Sequence, residues 1–114
     1  MKLSDIVVAR PIVEKLANKE MYAASAMEFA EWSREVLTAI QEFEAKRADW
    51  FKKYGEENPE KPGEWKIKEE NIDKFKRALD RALNKESDIK PFNLSESDVM
   101  VSPADIINYT NLFE

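Results

Sequence analysis

The chain has 114 residues, with 18 Lys and Arg against 23 Asp and Glu and a net charge of −5. It has no Cys, no His and only two Gly, and 36% of its residues are charged. These counts exclude disulfides, thiolate zinc sites, cysteine nucleophiles, Ser-His-Asp catalysis and histidine metal ligands, and they favour helix over an all-β design.

One domain is expected at this length. The fold class read from the chain is mainly α: a long central helix with antiparallel flanking helices, and a short two-stranded β element near 88–101. No run approaches 18 apolar residues, so no membrane span is expected. The start, Met-Lys-Leu-Ser-Asp, lacks the apolar stretch of a signal peptide. The charge is mixed in sign with no clustered basic face, which gives no basis for nucleic-acid binding.

Residues 1–18 read as a helical segment. Ser4 is the expected N-cap, with Leu3 and Val8 as a hydrophobic staple. Pro11 then removes a helical hydrogen bond, which predicts a kink near Arg10 or two short pieces ending about Asn18. Ile6, Val7, Ile12, Val13 and Leu16 supply the buried side. A strand over 6–9 is the alternative, from its Val-Val pair.

Residues 19–55 form the predicted central helix. Tyr22, Ala26, Phe29, Ser33, Val36, Ile40, Phe43, Arg47, Trp50 and Tyr54 recur at spacings of 4 and 3, one face of a helix. Met21, Trp32, Leu37 and Phe51 flank that stripe and widen it to about 160°. No Pro or Gly interrupts it. Gly55 is the expected C′ residue with positive φ, and Lys52 and Lys53 sit at the negative end of the dipole. The rod is about 50 Å long, whereas a compact chain of this length has a radius of gyration of about 13 Å. Either the fold is elongated or a second chain covers part of the rod.

Residues 56–68 are a charged, Pro-punctuated loop with a turn at Pro62-Gly63. Trp65 and Ile67 alternate with Lys66 and Lys68, a short extended stretch that would pin the loop to the helix ends. Residues 69–86 are a second helix with the stripe Ile72, Phe75, Leu79, Ala82 and Leu83, suited to a single neighbour. It is expected to pack antiparallel on the second half of the central helix. Its cations Lys74, Lys76, Arg77 and Arg81 would then lie near the acidic stretch from Glu28 to Glu44.

Residues 87–101 are extended, because Pro91 and the residue before it disfavour helix. Ile89 to Leu94 could pair with Val99 to Val101, with Pro91 at an edge. Residues 102–114 restart a helix, with Ser102 as cap, Pro103 at its first position and Asp105 near the positive end. The apolar ending through Leu112 and Phe113 is expected to be docked.

Arg47 lies in the middle of the apolar stripe. Either its stem packs and its guanidinium reaches water, or it pairs with Asp73 or Asp80 and fixes helix register or oligomer state. The acidic groups Glu56, Glu57 and Glu60, and Glu69, Glu70 and Asp73, lack the spacing of a calcium loop or a di-iron helix pair. No serine has a nucleophile-elbow context and no phosphate-binding loop exists. No catalytic, cofactor-binding or metal-ligating residue is therefore assigned. The candidates for an interface are Trp32, Leu37, Arg47, Trp50, Phe51 and Trp65. Trp32 and Phe51, on opposite flanks of the wide stripe, are the two best placed to meet a partner chain; the alternative is that all these aromatics are core.

Two stretches carry a resemblance. One is Phe43-Glu44-Ala45-Lys46-Arg47 followed by Lys53-Tyr54-Gly55, a polar loop, Trp65-Lys66-Ile67, and Glu70-Asn71 leading to Phe75. The other is Val101-Ser102-Pro103-Ala104-Asp105-Ile106 through Phe113-Glu114. Together they cover about half the chain, and they resemble a family of small, uncharacterised proteins of phages and prophages of Gram-positive bacteria. The resemblance implies a mostly helical phage-related protein and brings no active site with it. The expected function is non-enzymatic protein–protein interaction or assembly, with a homo-oligomer or a phage or host protein as partner. The chain would act in the host cytoplasm or in the virion. A phage-encoded inhibitor of a host enzyme or defence system is the alternative.

Overall fold

The computed structural model describes residues 1–114. Two short helices open the chain, α1 (Leu3–Ile6) and α2 (Arg10–Ala17). Pro11 explains the break: it sits in the first turn of α2, where its missing N–H has no helical partner to lose. The two-piece form of 1–18 is the one adopted, and no strand forms over 6–9. Ser4 is not the cap. Lys2 holds that position without a side-chain hydrogen bond. Val8 lies past the end of so short a helix and is 57% exposed, so it adds no buried partner to Leu3, which packs half-buried against the core.

The third helix, α3 (Ala23–Tyr54), is unbroken over 32 residues. At 1.5 Å per residue it runs about 48 Å, most of the 52 Å long axis of the molecule. It begins at Ala23 rather than at residue 19. Tyr22 is held extended, with its backbone N–H donating to Asp98 Oδ2 at 2.7 Å, and Lys19 Nζ donates to the Met100 carbonyl. These distant partners, not a local cap, set the start. Tyr22, read as the first residue of the apolar stripe, is consequently 79% exposed.

Helix α3 runs straight into an antiparallel hairpin, β1 (Gly55–Glu57) and β2 (Trp65–Ile67), with Gly55 opposite Ile67. Gly55 is not the left-handed C′ glycine expected; its backbone is extended. It is needed for closeness instead, since a Cβ there would lie 2.4 Å from the Phe51 carbonyl oxygen and 2.6 Å from that of Lys66. The positive φ falls on Gly63, in the hairpin turn.

The two-stranded element thus sits at 55–67 and not near 88–101. Residues 92–94 find another partner, the end of the chain. Phe92 N–H donates to the Leu112 carbonyl at 2.8 Å, Glu114 N–H to that of Phe92, and Leu94 N–H to that of Glu114. Val99 is in the core instead of in a ladder.

After a 3₁₀ turn at Glu69–Asn71, helix α4 (Ile72–Leu83) returns along α3. Phe75 meets Phe51 at 5.0 Å near the hairpin, while Ala82 shares a groove with Phe43 and Ala39 further back. The two helices are therefore antiparallel. The final helix, α5 (Pro103–Asn108), begins with a complete capping box between Ser102 and Asp105, and a 3₁₀ turn at Thr110–Leu112 follows.

The core lies around α3 from Ser25 to Phe43. Ile6, Ile12, Leu16, Val36, Ile40 and Leu112 are each at most 2% exposed, worth about 1.5–3 kcal/mol apiece in burial. Phe29, Trp32 and Phe92 meet with ring centroids 5.5–5.8 Å apart, Phe29 and Phe92 edge-on and the other two pairs tilted. Between Phe43 and Phe92 no residue is buried. The molecule is a packed body with a thin arm, and its radius of gyration is 17.4 Å against the ~13 Å of a compact chain.

Candidate interaction surface

The arm consists of α3 from Glu44 onward, the hairpin and α4. Its apolar side chains repeat at helical spacing on both helices, yet two helices meet along one seam and leave both edges of that seam open. Phe75, Leu79, Ala82 and Leu83 are accordingly only half-buried, and Ile72 is 36% exposed. On α3, Phe51 packs on Phe75, and Trp50 stands edge-on to Phe43 at 6.5 Å.

The six interface candidates separate by place. Trp32 is committed to the core, which corrects the expectation that it meets a partner. It is 8% exposed, makes tilted ring contacts with Phe113 as well as Phe29 and Phe92, and its indole N–H donates to the Lys90 carbonyl at 2.8 Å. Leu37 packs against the edge of the same core. Trp50 and Phe51 are half-buried along the arm, and Trp65 is 36% exposed on β2. Arg47 is exposed and makes no ion pair with Asp73 or Asp80. Its position in the middle of the stripe is tolerated because the seam at that height is open to water.

The cations of α4 form no ion pair with the acidic stretch of α3. Helix α4 lies against the second half of α3, so Lys74, Arg77 and Arg81 stand along the arm, away from Glu28 and Glu35. No ion pair joins the two helices. Glu44 instead pairs with Arg10 at 3.3 Å, with both side chains nearly half exposed, a contact worth about 0–1 kcal/mol.

A groove runs along the body between α3 and residues 87–96, with a volume of about 500 Å³ in its middle part. Glu28, Glu35 and Glu42 edge it from α3 and Asp88 from the opposite wall. The three glutamates are seven residues apart and so share one ridge of the helix. That spacing is visible in the chain, but the wall that makes the ridge into a groove comes from residues far away in sequence.

Two carboxylates have environments that favour their charged form, and both serve helix starts. The Ser25 hydroxyl, then the Tyr22 N–H, hold the Asp98 carboxyl below its ordinary range. Lys15 is the main cause of the same shift at Asp105, followed by the Ser102 N–H. Lys15 Nζ donates to both Asp105 oxygens at 2.9 and 3.0 Å. No group of three or more acidic side chains is placed to hold a metal ion, and no helix is long and apolar enough to cross a membrane.

Compared with protein-family models, with curated proteins and with solved structures, the chain matches none.

Proposed function

We propose that this chain is a non-enzymatic protein–protein interaction or assembly module that self-associates and acts in a phage or prophage setting. The phage setting rests on the resemblance of the 43–75 and 101–114 stretches. The observation that carries self-association is the arm, an amphipathic helix pair in which no side chain is buried. A magnitude supports it. A typical monomer of 13.3 kDa exposes about 6,450 Å², whereas this chain exposes 8172 Å². The excess, about 1,700 Å², is more than the ~800 Å² that each partner of a standard interface contributes.

Light scattering over a concentration series tests the reading. A mass rising from 13.3 kDa toward a multiple of it is expected. A strict monomer at millimolar concentration contradicts self-association.

A further inference from the structure

Resting on the self-association just proposed, we infer that two copies pair antiparallel, with the outer flank of α4 in one lying along the body groove of the other. The occupant of the groove is thus a second copy of this chain. One face of the molecule carries both halves of the contact. The groove passes from the body, where Glu28, Glu35 and Glu42 edge it, to the arm, where Ala82 and Lys85 line it. At 100° per residue, Lys74, Ala78 and Arg81 all fall within about 100° of Ala82 around α4, and Arg77 follows on the outer side. Along the body Glu28, Glu35, Glu42, Asp88 and Glu96 outnumber Arg34 and Lys90, so the face is net acidic along the body and basic along the arm.

Opposite charges at the two ends of one face are self-complementary only when two copies run in opposite directions. A two-fold axis then sets each α4 beside the other copy's groove, and the same patch is used on both sides. The charges are free for this role: Glu28, Glu35, Glu42, Lys74, Arg77 and Arg81 enter no ion pair within the chain. Ala39 in the groove and Ala78 and Ala82 on α4 are small, which lets the helices approach. The half-buried seam of the arm supplies apolar area, while the charges select direction and register.

A charge exchange tests the pairing. One variant carries Lys74→Glu, Arg77→Glu and Arg81→Glu; the other carries Glu28→Lys, Glu35→Lys and Glu42→Lys. All six sites are exposed, and circular dichroism and a thermal melt verify that each variant is folded. Sedimentation equilibrium should give dissociation constants for each variant alone raised about 100-fold over the wild type. An equimolar mixture should recover a heterodimer within about tenfold of wild-type affinity, because both contacts are again between opposite charges. Wild-type dimers with both variants dimerising unchanged, or variants that dissociate without recovery on mixing, overturn the antiparallel pairing and leave self-association standing. A wild-type monomer at every concentration overturns both.

Discussion

Single residues carry this fold in ways that differ from their first appearance. Gly55 is retained for space: Gly55→Ala should cost about 1–3 kcal/mol, the range for overpacking against atoms that cannot move aside, measured by urea unfolding. Leu112, 1% exposed near the end of the chain, should cost about 2–5 kcal/mol as Leu112→Ala; a value near zero would mean that the C-terminal turn is not docked. Asp98 and Asp105 make a prediction in pH. Their folded pKa values are depressed, so they contribute stability above the unfolded carboxylate value of about 3.9. That contribution is lost as pH falls through their lower folded values, because the unfolded state binds more protons there. Asp105→Asn should therefore be less stable than wild type at neutral pH and should flatten the acid limb of stability against pH, read by denaturant midpoints between about pH 5 and pH 2.

At the scale of elements, local signals were legible and distant ones were not. Pro11 broke the first helix and Ser102 with Asp105 capped the last, because a proline ring or a cap acts within one turn of its own position. Ser102→Ala should accordingly cost about 1 kcal/mol, seen as a shift in denaturant midpoint at unchanged slope. The length and unbroken course of α3 were equally readable, since periodicity accumulates along the helix. Its start was not: Asp98, 76 residues away, holds Tyr22 extended. Nor was the pairing of 92–94 with 112–114, since nothing in Ile89 to Leu94 distinguishes one extended partner from another. The place of Trp32 is hidden for the same reason. Its spacing puts it on the flank of a wide stripe, and only Phe92 and Phe113, brought in by the fold, turn that flank into core. The groove was half legible: the heptad spacing of Glu28, Glu35 and Glu42 is local, but its opposite wall is tertiary.

At the scale of the whole molecule, burial is unevenly shared. The body folds α1, α2, residues 87–102, α5 and the last residues around α3 as far as Phe43, and the arm leaves the rest of α3 with one helix and a hairpin. An arm with no buried residue should open locally far more readily than the body. Only a second surface can raise its protection to the level of the core. Amide hydrogen exchange of the wild-type chain, followed in dilute and concentrated samples, tests this most directly. The account predicts that α4 and α3 from Glu44 onward exchange quickly when dilute and slow at least tenfold on concentration. Arm exchange that is equally fast at both concentrations would contradict it.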